Sequence, residues 1–186
     1  MALNEAIREK DRKKNKQQEI GTQEHSLLLD IAEHPLSVVS ERYQRLGWSA
    51  HTGTKIKRKL LEKGLIEQEK VVVPNGSVTL LKLTNEGRAL LASWGIQVKS
   101  LPKNASLEHE YYRELVAERY RADGYKVEKE VWIGQGKAVD LVATKGNERM
   151  AIEIETGKSN VEGNMRKCKE AGFEQVVVVY TKRSNL

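Results

Sequence analysis

The sequence is short of cysteine, proline and long apolar runs, and each shortage excludes something. A single cysteine, Cys168, cannot close an internal disulfide. It repeats with Val161 and Met165 at helical spacing, which reads as core. No apolar stretch approaches the roughly 20 residues of a membrane helix, so no membrane partner is expected. The opening MALNEAIREKDRKKNK has no apolar segment behind its basic residues, unlike a secretory leader; with the lone cysteine, this points to the reducing cytoplasm. The three prolines, Pro35, Pro74 and Pro102, all fall where the pattern breaks. No internal repeat is visible.

What the chain has is charge. Of 186 residues, 39% are hydrophobic and 31% charged, as in a soluble globular protein, and the net charge of +6 favours polyanionic partners. Basic residues crowd into Arg8 to Lys16 and Lys55 to Lys63, whereas the C-terminal half sets acids among apolar strands. Two domains with different work are expected. Residues 1–22 read as a polar arm, 23–95 as the first domain, 96–105 as a linker and 106–186 as the second domain.

In the first domain, Leu27, Leu28 and Ile31 share one helical face, and Pro35 ends the helix. Val39, Tyr43 and Leu46 mark a second helix, broken at Gly47. Ser49 supplies an N-cap to a third helix carrying Ile56, Leu60 and Leu61, stopped at Gly64. Two β-rich runs joined by Pro74-Asn75-Gly76 form a hairpin, and Thr84 begins a helix with Leu90, Leu91 and Trp94. Three helices, a hairpin and a helix make a winged helix-turn-helix. With Ile56, Leu60 and Leu61 inward, the third helix presents Lys55, Arg58, Lys59 and Lys63, with Ser49, His51 and Thr52 at its start. Such a helix fits the major groove of duplex DNA. The segments LLEKGLIEQEK and LKLTNEGRALL resemble the winged-helix domains of MarR-type regulators, which implies DNA binding. The wing tip carries no arginine to enter a minor groove.

In the second domain, Ser106 caps a helix with Leu107, Tyr111 and Leu115 on its buried side. Gly124 ends it, three antiparallel strands follow, then a helix over Ser159 to Ala171 and the strand Val176 to Tyr180. Asp140 stands inside the apolar run AVDLVA, where an unpaired carboxylate would cost several kcal/mol. A divalent cation is a candidate to compensate it. Glu153 and Glu155 alternate with Ile152 and Ile154 on the next strand and share a face. Glu108 and Glu110 lie on the preceding helix, and Lys158 stands just beyond the glutamates. Carboxylates that hold Mg²⁺, with a cation to orient the nucleophile, are what phosphodiester hydrolysis needs.

The αβββαβ order and these acids resemble the PD-(D/E)XK restriction-endonuclease-like fold, in its Holliday-junction-resolvase-like branch. The resemblance implies a Mg²⁺ (or Mn²⁺) site of Asp140, Glu153 and Glu108, with Glu155 at the usual lysine position or Lys158 reaching back in its place. The expected fold is therefore α+β with an α/β-like second domain. The expected function is a DNA-binding, metal-dependent endonuclease; the alternative is a non-catalytic regulator or adaptor with a degenerate nuclease fold. LEHEYY, AVDLVAT, AIEIETGKS and KCKEAGF are also similar to the C-terminal region of mobile-element DNA-translocating ATPases, which implies a motor partner. A homodimer is left open. Thr156-Gly157-Lys158-Ser159 is not a phosphate-binding loop, because Ile152 stands where its first glycine belongs.

Overall fold

The computed structural model describes residues 20–98, 106–134, 136–157 and 160–181. The polar arm with its Arg8 to Lys16 cluster, most of the linker, Lys158 and Ser159 lie outside them. The described residues form six helices and two sheets, in two compact units. The first is built on 20–70 and 78–98, the second on 71–77 and 106–181.

The first unit opens with α1 (Thr22–Glu33), α2 (Val39–Arg45) and α3 (Ala50–Glu62). A hairpin of β1 (Ile66–Val73) and β2 (Gly76–Leu83) follows, then α4 (Asn85–Ser93). Ser49 accepts the Thr52 N–H and starts α3, and Thr84 accepts the Gly87 N–H and starts α4. Gly47 and Gly64 take positive φ where α2 and α3 stop. Leu27, Leu28, Ile31, Ile56, Leu60 and Leu91 meet in one core. Val38 pairs with Leu80 in an isolated antiparallel bridge, which ties the start of α2 to the hairpin. This arrangement is compatible with a winged helix.

Two glycines have a packing reason that hydrophobic periodicity does not reveal. A Cβ on Gly87 would stand 2.1 Å from the Leu65 carbonyl oxygen, and one on Gly53 would stand 2.5 Å from the Tyr43 ring. The first lets α4 sit on the backbone at the entry to β1. The second lets α3 close on α2.

The second unit runs α5 (Leu107–Ala122), β3 (Lys126–Gly134), β4 (Lys137–Lys145), β5 (Glu148–Glu155), α6 (Val161–Glu170) and β6 (Gln175–Tyr180). Its sheet has the order β3-β4-β5-β6, antiparallel through β5, with β6 parallel to β5. The parallel pair needs the crossover that α6 supplies. Val139, Val142, Ala151, Cys168 and Phe173 form a core, and β5 is buried on both faces from Met150 to Glu155.

Two expectations about helices are corrected. The buried side of α5 runs through Leu107, Glu110, Tyr112, Arg113 and Ala117; Tyr111 is only half-buried and Leu115 is 41% exposed. Periodicity over apolar residues missed this face because two of its members are a buried ion pair, Glu110 with Arg113. The cap of α6 is Asn160, which accepts the Gly163 N–H, so the helix begins at Val161.

Candidate nucleic-acid interface and carboxylate centre

On α3 the buried residues Gly53, Ile56 and Leu60 fix the core side, which leaves His51, Lys55, Arg58 and Lys59 exposed. Arg58 is 72% exposed and makes an exposed ion pair with Glu62 at 3.7 Å. Three other residues expected on this face are engaged elsewhere. Ser49 Oγ accepts the Thr52 amide at 3.2 Å, and the two side-chain hydroxyls lie 3.0 Å apart, so both serve the cap. Lys63 Nζ stands 2.7 Å from Glu24 Oε2 and is 19% exposed. That glutamate also accepts the Gly21 N–H at 3.0 Å. Burial opposes its charge, but Lys63 and the Gly21 amide outweigh the penalty and hold its carboxyl below the usual range. Lys63 thus ties α3 to α1 and does not point outward with Lys55.

The position of α2 before α3 is set by a buried cation. Arg42 is fully buried and donates to Asp30 Oδ1 at 2.7 Å, to the Asp30 carbonyl at 3.0 Å and to the His34 carbonyl at 2.6 Å. Arg45 Nε meets the other oxygen of Asp30 at 2.7 Å. One aspartate thereby holds two arginines of α2.

In the second unit, the acids gather around β4, β5 and the start of α5, and each has a protein donor. Asp140 Oδ2 accepts the Ile154 amide at 2.8 Å and lies 3.2 Å from His109 Nε2. Its side chain keeps 21% of its exposure. Burial works against the Asp140 charge, yet the His109 and Ile154 hydrogen bonds hold its carboxyl below the ordinary value. The hydrogen bond to Asp140, helped by Glu110, raises the His109 imidazole to about 9. Asp140, expected to need a compensating partner, has the His109 ring and the Ile154 amide beside it. His109 carried no sequence signal, since a lone histidine on a helix is commonplace and its partner is 31 residues away.

Glu153 is 3% exposed and pairs through Oε2 with Lys167 Nζ of α6 at 3.1 Å. Lys167 also donates to the Ala138 carbonyl at 2.8 Å, and the Cys168 thiol lies 3.4 Å from Glu153 Oε1. Burial, with the Asp140 charge added, raises the Glu153 carboxyl above its ordinary value despite Lys167. Burial beside Glu153 pushes the Cys168 thiol up to about 12. Cys168 is thus in the core as expected, but it also caps an acid. Glu155 is 4% exposed and accepts the Gly157 amide at 2.6 Å. Neither glutamate lies on a solvated strand face. Glu108 accepts the Thr181 hydroxyl at 3.0 Å. Glu110 pairs with Arg113, which bridges at 2.7 Å to Glu130, a residue held at φ 50°.

Among the described residues, no group of three or more His, Cys, Asp or Glu side chains is arranged to hold a metal ion. In this arrangement His109 stands beside Asp140 and Lys167 beside Glu153, and the two supply positive charge to the acids. The lysine expected to do so, Lys158, lies outside the described residues. Trp132 and Tyr180 are 73% and 53% exposed. No helix among the described residues is long and apolar enough to cross a membrane.

No family model matches the chain, and no curated protein matches it. Among solved structures, it is similar to the PcaV transcriptional regulator from Streptomyces coelicolor in complex with its natural ligand. The identity is 20%, over 66% of this chain and 90% of that one, with a TM-score of 0.33. At that score the likeness carries no argument about fold or function.

Proposed function

We propose that this protein binds duplex DNA by laying the exposed face of α3 in the major groove, and that it serves as a regulator or adaptor. The second unit is then a nuclease-like domain whose carboxylates are neutralised from within. One observation carries the reading: His51, Lys55, Arg58 and Lys59 are exposed on a helix whose other side is buried, in the helix order of a winged helix. Lysines on such a face neutralise phosphates and release counterions, so binding weakens steeply with salt. Replacing Lys59 by alanine is expected to weaken binding to every duplex and to make the plot of log affinity against log salt about 1 unit shallower. Fluorescence anisotropy over a salt series measures both. An unchanged slope places the DNA face elsewhere.

A specific observation favours a second reading, a Mg²⁺- or Mn²⁺-dependent endonuclease. Asp140 lies close enough to Glu153 to raise its pKa, and the Ile154 amide anchors Asp140 to β5. On this reading Asp140 and Glu153 take the cation, Glu108 assists, and Glu155 or Lys158 completes the site; His109 and Lys167 must first release the acids. Cleavage of linear or branched DNA that needs the metal and is lost in Asp140→Ala and Glu153→Ala supports it. Intact DNA binding with no calorimetric affinity for Mg²⁺ or Mn²⁺ leaves the first reading standing. As an adaptor, the protein would have a DNA-translocating ATPase as its partner. Sedimentation decides whether it pairs with a second copy.

A further inference from the structure

We propose that the base edge met by α3 is guanine. The inference rests on the DNA-binding reading above and concerns which side chains remain available on that helix. The short hydroxyls near its start, Ser49 and Thr52, are occupied by each other and by the Thr52 amide. Two of its cations are held within the protein, Lys57 on Gln68 Oε1 at 2.9 Å and Lys63 on Glu24 at 2.7 Å. What faces outward is a set of donors, His51, Lys55 and Arg58, spaced four and three residues apart along one line, with Lys59 to one side.

In the major groove, guanine presents two acceptors, O6 and N7, and is met by lysine or arginine. Adenine presents an acceptor beside a donor and is met by asparagine or glutamine, which offer both kinds of group. The helix AHTGTKIKRKLLE contains neither asparagine nor glutamine. Its single acid, Glu62, which could accept from cytosine, lies in the last turn, and its 3.7 Å pair with Arg58 is exposed on both sides and yields to a base. Exposed Thr54 suits several bases and selects none. Lys55 and Arg58 are about 4.5 Å apart along the helix axis, against a base-pair rise of about 3.4 Å, a gap that their long side chains span to address neighbouring pairs. Lys59 is left for the phosphates.

The test uses the full chain and duplexes of equal length, one A·T only and one rich in G·C, at fixed salt. Fluorescence anisotropy is expected to give affinity about 10-fold or more in favour of the G·C duplex. Replacing guanine by 7-deazaguanine, which keeps Watson–Crick pairing but removes N7, should bring binding down toward the A·T value. Lys55→Ala and Arg58→Ala should each shrink the ratio, whereas Lys59→Ala should weaken both duplexes alike. Equal affinity for the two duplexes overturns the proposal. So does a preference that 7-deazaguanine leaves intact, since it would come from groove shape. Failure to bind either duplex sinks the DNA-binding reading itself, a different outcome from binding without preference.

Discussion

Asp30→Ala is expected to destabilise the first unit by about 3–5 kcal/mol, the usual cost of removing one partner from a buried ion pair. Arg42 is fully buried, and without Asp30 its guanidinium keeps only backbone carbonyls of Asp30, His34 and Pro35. Those are dipoles, and they do not neutralise a charge removed from water. Arg45 loses its anchor at the same time. Hydrogen exchange of the α1, α2 and α3 amides, read by peptide, reports this unit separately from the other. A paired replacement, Asp30→Leu with Arg42→Met, is expected to recover most of the loss, because apolar side chains of similar volume remove the charge and keep the packing. A loss below about 1 kcal/mol in the single variant would show that water reaches Arg42 and that the pair does little to set α2 against α1. On the proposed DNA-binding reading the same variant also weakens DNA binding, since Tyr43 of α2 packs on α3 at Gly53.

Lys167→Met should have a comparable effect on the second unit, about 3–5 kcal/mol at neutral pH. The substitution leaves Glu153 buried with the Cys168 thiol and near Asp140, whose charge already raises it. Its pH dependence identifies the cause. Glu153 has a folded pKa above its unfolded value, and removing Lys167 raises it further. The carboxyl therefore favours the fold fully only below the ordinary glutamate range, and that contribution is lost as pH rises through the folded value. The variant should be nearest to the wild type in acid and fall furthest behind it at neutral pH. Adding Glu153→Gln should restore stability at neutral pH, since an amide carries no charge to desolvate. Urea denaturation at several pH values measures this. A pH-independent loss would mean that Lys167 acts through its bond to the Ala138 carbonyl and its packing.

Asp140 and Glu153 also mark where sequence reasoning stopped short. An acid inside AVDLVA must be compensated, and desolvation alone establishes that. The identity of the compensating group depends on what folding brings from elsewhere. His109 comes from α5 and Lys167 from α6, and neither has a spacing or a neighbour that marks it. From the sequence alone a hard cation, which takes oxygen ligands, is the partner that clustered acids suggest. The same limit applies to Lys63, whose place beside Lys59 suggested an outward cation until α1 supplied Glu24.

The sequence by itself determined the elements, their order and most of their ends. Helix and strand periods are local properties, and caps such as Ser49, Thr84 and Ser106 and stops such as Gly47, Gly64 and Gly124 act within a few residues. It also determined that α3 has a basic outer face, because three core positions fix the rotation of a helix. Only the tertiary structure decided which charges are spent inside the protein. Pairings such as Arg42 with Asp30, His109 with Asp140 and Lys167 with Glu153 join separate helices and strands, and their strength comes from burial that exists only once those elements pack.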